Sequence, residues 1–278
     1  MTPALRRCFD EHRELRQSEL YELAALLDRH KLTPDPGPLQ QAASLCLSPP
    51  RTARGDVPDA GRDYWGYRID GLRLHLEPQR HCRPRAAEVE SLIGVLNVEV
   101  QEYVPAAEDG VGSSFAHLRV LGASFRCDAD AIFDEDVHTL RSAWHVDTHL
   151  HTGTPSDSVH PRFHFQVGGE ELDGVDASIR GALMLEAPRP AVAPLDGVLA
   201  VDFVLSHYCG FMWDTLRTLE AGYNRIRAPS MARYWSPYFR MIADALQDDD
   251  PVAQGSPAAL LIPNLATAEV YRLGKSPR

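Results

Sequence analysis

The side chains of residues 144–169 alternate in polarity on either side of a loop-like stretch, and this alternation constrains the fold more than any other feature. Successive side chains of a β-strand point to opposite faces, so residues two apart share a face. The apolar positions with this spacing are Trp144, Val146, Thr148 and Leu150, then Phe163, Phe165 and Val167. The connecting residues 152–159 are rich in Gly, Pro, Ser, Thr and Asp, which is typical of a loop. The pattern predicts a β-hairpin with one apolar side.

The other side of the predicted hairpin is polar and rich in histidine. It carries His145, Asp147, His149 and His151 on the first strand, and His160, Arg162, His164 and Gln166 on the second. Because both apolar sides must face the core, the two polar sides coincide when the strands pair. One register places Asp147 opposite His164. The same register places His149 opposite Arg162. Another register places His145 opposite His164, and the sequence leaves several such registers open.

Imidazole and carboxylate groups are donors that suit Zn²⁺, Fe²⁺ and Mn²⁺. Cross-strand partners have Cβ atoms about 5 Å apart, which is close enough for two side chains to share one ion. The predicted metal ligands are His145, Asp147, His149 and His164. We therefore expect a divalent transition metal, namely zinc, iron or manganese, on the polar side of the hairpin.

The same side chains also suit acid–base catalysis. The predicted catalytic residues are His149, His164 and Arg162. One imidazole would act as base and the other as acid, while the guanidinium would stabilise the charge that develops on a phosphodiester. Hydrolysis, with a phosphodiester as the leading substrate, is the predicted reaction. The alternative is a non-catalytic protein-binding or regulatory module in which the histidine face is structural, since half-exposed sheets alternate in the same way.

The tripeptide His145-Val146-Asp147 resembles the HxD motif of 2-oxoglutarate-dependent iron oxygenases. The resemblance covers three residues. That family adds a distal histidine and an arginine that grips the cosubstrate, and His207 and Arg217 follow at a suitable spacing. The resemblance implies a non-haem iron oxygenase as a further alternative. The family places the distal histidine on a barrel strand, whereas the segment around His207 is predicted to be helical.

The periodicity of the remaining chain predicts an α+β protein. Helices are expected at residues 3–30, 39–46, 84–96 and 195–219, and from Ser236-Pro237 to about Leu246. Strands are expected at residues 64–69, 72–76, 97–104, 115–127, 138–150 and 160–168. The dipeptide Asp70-Gly71 predicts a two-residue hairpin turn between the first two strands. The expected architecture is therefore an antiparallel sheet of about six strands, built from hairpins and packed by helices from both ends of the chain.

A connector rich in proline and glycine, Thr33–Asp63, predicts an internal boundary. We expect a helical N-terminal segment, residues 1–50, followed by an α+β domain, residues 64–278. Within that domain the sheet is expected at 64–169 and the C-terminal helices at 194–248. Asp196 is expected in the first turn of the first of these helices, where the helix dipole favours its charge.

Composition excludes several classes of protein. The net charge of −11 argues against broad binding to nucleic acid and leaves a small molecule or a protein as the partner. The five cysteines include no CxxC pair, which argues against a disulfide framework and a zinc knuckle. No apolar run approaches the ~20 residues of a membrane span, and charges such as Arg6 and Asp10 interrupt any signal peptide. A cytoplasmic location is therefore expected.

Overall fold

The computed structural model describes residues 2–53, 61–77, 92–105, 117–133, 136–148, 163–168 and 192–247. Five helices lie within these ranges: α1 (Pro3–Arg29), α2 (Gly37–Cys46), α3 (Gly197–Tyr208), α4 (Gly210–Leu219) and α5 (Ala221–Gln247). The six strands are β1 (Arg51–Thr52), β2 (Asp63–Leu76), β3 (Leu92–Tyr103), β4 (Leu118–Phe133), β5 (Asp136–Thr148) and β6 (Phe163–Val167). The expected α+β class is confirmed.

The six strands form one antiparallel sheet in the order β1-β2-β3-β4-β5-β6. Each strand therefore pairs with the next one along the chain, which is the simplest arrangement for strands joined by hairpins. The predicted strands 97–104, 115–127, 138–150 and 160–168 correspond to β3, β4, β5 and β6. The helices come from both ends of the chain, as expected.

One face of the sheet is buried under the helices. Leu96, Val98 and Val100 on β3 belong to the same hydrophobic cluster as Leu23 on α1 and Val201 on α3. Residues that alternate with these point the other way and are half-buried. We call this second face the open face. Among its residues are Asn97, Glu99, Ser124, His145 and Asp147.

The predicted hairpin turn at Asp70-Gly71 is wrong, because β2 runs through this dipeptide without turning. The pairing with β3 shifts between Ile69 and Leu72, so that two residues of β2 lie opposite Asn97. This is a β-bulge, in which Gly71 has φ +70° and its amide donates to Asn97 Oδ1 at 2.7 Å. A hairpin turn and a bulge both need a residue with positive φ, and Asp-Gly serves either.

The predicted helix at residues 84–96 is wrong in its last part. Leu92 to Leu96 belong to β3 and pair with β2, and Ile93 to Leu96 also pair with β4. Residues 84–91 lie outside the described ranges. A short apolar run does not distinguish a helix from a strand by periodicity alone. Here the alternation of buried and half-buried residues continues without a break to Tyr103, so the strand is the better solution.

The predicted helix at residues 195–219 is interrupted at Cys209, which has φ −137° and ψ 50° and separates α3 from α4. The interruption is held to the end of β2 by two contacts. The Cys209 thiol donates to His75 O at 3.3 Å, and the Glu77 amide donates to Tyr208 O at 3.1 Å. The apolar run is therefore divided between two helices, of which α3 is deeply buried and α4 is largely at the surface.

The predicted helix start at Ser236-Pro237 is also wrong. Both Pro229 and Pro237 lie inside α5, which begins at Ala221. A proline in a helix interior costs about 3 kcal/mol, because it removes a hydrogen bond and clashes with the preceding turn. Burial of aromatic side chains along α5, including Tyr223 and Tyr234, opposes this cost.

The N-terminal helix is confirmed within one residue of its predicted end, and Thr2 caps it by accepting from the Leu5 amide at 3.3 Å. Its apolar side, with Leu20, Leu23 and Leu27, lies in the same core as the sheet. The division of the chain after residue 50 stays a prediction. Among the described residues, no helix is long and apolar enough to cross a membrane. The described cysteines, Cys8, Cys46, Cys127 and Cys209, are free thiols.

Candidate metal centre

Strands β5 and β6 pair in one of the registers left open by the sequence. Asp147 lies opposite His164, and His145 lies opposite Gln166. The register that would place His145 opposite His164 is therefore wrong. In this register the carboxylate of Asp147 and the imidazole of His164 are direct cross-strand neighbours, close enough to bind one ion together.

The predicted parity of β5 is confirmed by the packing of its apolar side. Trp144 is 3% exposed and stacks on Phe125 with ring centroids 5.4 Å apart. Its indole Nε1 donates to the Tyr208 hydroxyl at 3.2 Å, at the end of α3. Val146 is fully buried in the same cluster. Because Trp144 and Val146 point toward the helices, the residues between and beyond them point to the open face.

His145, Asp147 and His164 converge on the open face. Each offers one ligand atom, and these three atoms all lie within 4.8 Å of one another. His164 Nε2 lies 3.0 Å from Asp147 Oδ1, and His145 Nε2 lies 4.0 Å from Asp147 Oδ2. The two imidazole rings meet edge to face, with centroids 6.1 Å apart. Asp147 thus lies between two imidazoles.

The three side chains differ in exposure. The His164 side chain is 1% exposed, while those of His145 and Asp147 are 24% and 38% exposed. The group is therefore closed at β6 and reachable from solvent at β5. A site that binds a metal for catalysis needs such an access route, whereas a structural site is usually closed by four protein ligands.

Small polar residues lie beside the group on the neighbouring strands. Ser124 is the cross-strand neighbour of His145. A Cβ added at Gly122 would lie 4.0 Å from the Asp147 Cβ. Ser124 Oγ accepts from Asn97 Nδ2 at 3.3 Å. Asn97 in turn accepts from the amide of the bulge residue Gly71. The bulge in β2 therefore helps to position the Asn97 side chain, which donates to Ser124 on β4 beside His145.

The chemistry of the donor set fits a transition metal. Two imidazoles and one carboxylate supply three ligands and leave further positions for water or substrate, as catalytic Zn²⁺ sites require. The same set of two histidines and one carboxylate holds Fe²⁺ in non-haem oxygenases. We conclude that His145, Asp147 and His164 form a group that could hold a metal ion.

Several predicted site residues fall outside the described part of the chain. They are His149, His151, His160 and Arg162. His149 as a metal ligand, and His149 and Arg162 as catalytic residues, therefore stay predictions.

The distal histidine expected from the oxygenase resemblance does not join the group. His207 lies on α3, where its Nδ1 donates to Phe203 O at 2.7 Å. Phe203 packs against Trp144 on the buried side of the sheet, so His207 belongs to the helical layer. Arg217 stacks over Trp213 at 4.4 Å in α4. The third donor beside His145 and Asp147 is His164 instead.

A second cluster of charged residues, which the sequence reasoning missed, surrounds Arg16 of α1. Arg16 is 1% exposed and donates to Glu102 at 3.1 Å, to Asp196 at 3.0 Å and to the Tyr234 hydroxyl at 2.7 Å. His12 Nε2 lies 3.0 Å from the other oxygen of Glu102. A signal was present in α1, because Arg16 lies on the same buried side of the helix as Leu5, Leu20, Leu23 and Leu27.

The electrostatic environment of this cluster keeps the carboxylate of Glu102 charged. Burial would raise the pKa of Glu102, but the hydrogen bond from His12 and the charge of Arg16 outweigh it and lower the pKa to about 2. Burial also acts on Arg16, where the neighbouring acidic groups outweigh it and raise the pKa. The cluster therefore holds paired charges in the core.

The buried acids of α3 have structural partners. Asp196 caps α3 by accepting from the Leu199 amide at 2.9 Å, which confirms its predicted place at the start of the helix. Asp202 accepts hydrogen bonds from Trp213, Tyr223 and Arg227 at 2.8–2.9 Å. Asp202 thus joins α3 to α4 and α5.

Comparison with known proteins gave no match to any family model, to any curated protein or to any solved structure. The function of this chain is therefore inferred from the side chains that the sheet brings together.

Proposed function

We propose that the chain is a metal-dependent hydrolase whose centre lies on the open face of β5 and β6. One observation carries the proposal, namely the convergence of His145, Asp147 and His164 to within 4.8 Å. The three residues are positioned by regular strands rather than by a loop, and such elements hold ligands more rigidly.

Each residue has a defined task in this proposal. The neutral imidazoles of His145 and His164 donate nitrogen to the ion, and Asp147 adds a carboxylate oxygen whose charge offsets part of the ion's charge. A divalent ion held there would supply a bound water with a pKa near 7 and would polarise the ester. By the parity of the sequence, His149 is the candidate fourth ligand or acid, and Arg162 the candidate partner for negative charge.

A phosphodiester is the substrate class that we favour. Arg162 and His149 are both predicted catalytic residues. The guanidinium of Arg162 would stabilise developing negative charge, and the imidazole of His149 would protonate the leaving oxygen. The ion could be zinc, iron or manganese. A second candidate, a non-haem iron oxygenase, is favoured by the number of donors, because two histidines and one carboxylate are its usual iron ligands.

Activity on bis(p-nitrophenyl) phosphate tests the proposal. We expect hydrolysis by the metal-loaded protein, loss of activity after chelation, and recovery when Zn²⁺ or Mn²⁺ is restored. Asp147→Ala should lower kcat/KM by at least about 100-fold, since a ligand is lost. His207→Ala, which changes an exposed histidine on the other side of the sheet, is the matched control. Activity that survives chelation and Asp147→Ala would contradict the proposal, and a bound metal without hydrolysis would favour the oxygenase or a non-catalytic binding module.

A further inference from the structure

A cavity of about 140 Å³ lies beside β2, next to the chain that connects α2 to β1. The two residues of β1 pair only with Asp63 and Tyr64, so from Trp65 onward no described strand pairs with this edge of β2. The short strand therefore leaves space that a longer one would fill. Among the residues that line the cavity are Leu45, Ser48, Pro49, Arg51, Tyr64 and Arg68.

The cavity has the size of one small ring. Its volume is close to that of an engineered protein cavity of about 150 Å³ that binds benzene. Leu45 and Pro49 supply apolar surface on one side, and Tyr64 supplies an aromatic ring on β2. Gly66 lies next to them and adds no side chain, and a Cβ at this position would clash with Val100 O on β3. The backbone pairing of β2 with β3 thus requires a glycine in the lining.

A buried arginine of α1 holds the connection that forms one wall. Arg13 is 7% exposed, and its Nε donates to Cys46 O at 2.7 Å. Its Nη2 donates to Ser48 O. These bonds fix the main chain on both sides of Leu47, so the wall is in place before a ligand binds. A preformed wall lowers the conformational cost of binding.

Two arginines give the cavity positive charge. Arg51 and Arg68 both line it and are exposed, so a ligand in the cavity can reach their guanidinium groups. Arg68 pairs with Asp70 at 3.4 Å, but the two side chains are 61% and 68% exposed, and such pairs contribute little in water. The fork of N–H donors on a guanidinium matches phosphate and carboxylate groups. The cavity therefore offers donors for an anion in a chain whose net charge is −11.

Among the described residues that line the cavity, only Glu99 is acidic, and its carboxylate is hydrogen-bonded within the sheet. Gln101 donates to Glu99 and accepts from Arg119. The guanidinium of Arg119 also lies over the Tyr64 ring, 4.6 Å from its centroid. A third cation thus stands next to the ring, and the charges around the cavity favour an anionic ligand over a cationic one.

We propose that this cavity binds a small aromatic ring that carries an anionic group, as in an aryl phosphate or an aryl carboxylate. The ring lies against Tyr64 and the apolar surface of Leu45, and the anionic group accepts hydrogen bonds from Arg51 and Arg68. The candidate metal centre lies on β5 and β6 and shares no residue with the cavity. The inference therefore goes beyond the proposed function and does not depend on it.

Isothermal titration calorimetry of the full chain tests the proposal, with phenylphosphonate as the probe because it contains no ester bond. We expect saturable binding of one equivalent by the wild type. Inorganic phosphate lacks the ring and benzyl alcohol lacks the charge, so each should bind at least about 10-fold more weakly than the probe. A parallel titration with benzoate distinguishes the two ligand types: tighter binding of phenylphosphonate supports an aryl phosphate, and tighter binding of benzoate supports an aryl carboxylate.

Four variants and one control locate the binding site. Arg51→Gln and Arg68→Gln should each weaken probe binding by at least about 10-fold, because each removes charge-assisted hydrogen bonds. Arg73→Gln is the matched control, since Arg73 is exposed on the same strand but does not line the cavity. Ser48→Trp, which would fill the cavity, should abolish binding. Asp147→Ala changes the candidate metal centre and should bind the probe as wild type does.

Three results would overturn the proposal. The first is a wild type that binds no probe, or that binds inorganic phosphate as tightly as the probe. The second is an equal loss of affinity in Arg51→Gln, Arg68→Gln and Arg73→Gln, which would indicate attraction by net charge alone. The third is binding that is lost in Asp147→Ala but kept in Ser48→Trp, with a normal circular dichroism spectrum for both. That result would place the probe at the candidate metal centre and would leave the proposed function standing.

Discussion

Arg16 carries a buried charge that is balanced by two carboxylates, Glu102 and Asp196. Taking an ion out of water costs several kcal/mol, and the cost is recovered only if every partner is in place. The contacts of Arg16 join α1 to β3, to the start of α3 and to α5. A single side chain thus links three parts of the helical layer to the sheet.

Replacing Arg16 by methionine should be strongly destabilising. The variant leaves Glu102 and Asp196 buried without their main counter-charge, so we expect the free energy of unfolding to fall by about 3–5 kcal/mol. The measurement is urea unfolding followed by circular dichroism. Arg29→Met is the matched control on the same helix, because Arg29 is exposed and its pair with Glu220 should contribute less than about 1 kcal/mol. Equal effects of the two substitutions would mean that the buried cluster contributes little.

At this scale the sequence anticipated the convergence of the candidate metal group better than that of the charged cluster. His145, Asp147 and His164 follow from a period of two, which needs no knowledge of distant residues. Arg16 and Glu102 are 86 positions apart, and their pairing depends on how α1 lies on the sheet. Arginine on the apolar stripe of α1 signals a buried charge, but it does not say which carboxylate will meet it.

In strand β2, the dipeptide Asp70-Gly71 determines whether the chain turns back as a hairpin or continues as one bulged strand. The bulge keeps β2 paired with β3 on both sides of Asp70-Gly71. It also directs the Gly71 amide to Asn97, and Asn97 in turn reaches Ser124 beside the candidate centre. Bulges are common next to functional sites, where they adjust the position of a side chain.

Gly71→Ala should destabilise the protein through the backbone of this bulge. The residue has φ +70°, and nothing lies within 4 Å of an added Cβ, so strain rather than a clash is expected. The left-handed conformation costs an alanine roughly 1–2 kcal/mol more than a glycine, and chemical denaturation measures the difference. Gly210→Ala is a matched control, because it also has open space but no positive φ. A Gly71→Ala variant as stable as the Gly210→Ala variant would contradict the assigned role of the bulge.

At the level of elements, the strands with strict alternation were predictable, and the interruptions were not. β5 was identified with its two faces, and the correct register with β6 was one of those left open. On β6, Phe163 is buried as predicted, whereas Val167, on the same predicted apolar side, is 56% exposed. Whether Asp70-Gly71 turns or bulges depends on what β3 offers opposite it. Cys209 interrupts a continuous apolar run because of its contact with β2. Pro229 and Pro237 lie inside α5, where burial of aromatic side chains opposes the free-energy cost of a proline in a helix.

The described part of the chain is an antiparallel meander with helices on one face and polar side chains on the other. This architecture was predictable, since helical periodicity at both ends encloses a region of alternating residues. It also separates two tasks in space. The buried face and helices hold the charged cluster and the core, whereas the open face carries His145, Asp147 and His164.

The stability of the whole chain should fall steeply in acid because of Glu102. The pKa of this carboxyl is lowered from its ordinary value of 4.5 to about 2, so its contribution is fully present above pH 4.5. The contribution is lost as the pH falls from about 4.5 toward 2. Urea unfolding across this range should show the slope, and Glu102→Gln should have a lower stability at pH 7 and a shallower loss in acid. An unchanged slope in Glu102→Gln would contradict this assignment.

The most direct test of the metal centre is the metal content of protein purified without a histidine tag and dialysed against Zn²⁺, Mn²⁺ or Fe²⁺, measured by inductively coupled plasma mass spectrometry. We expect about one equivalent of one of these ions in the wild type and in His207→Ala. His145→Ala, Asp147→Ala and His164→Ala should each fold, as judged by circular dichroism, and each should lose most of the ion. A wild type without bound metal, or three folded variants that all retain it, would contradict a centre formed by these residues.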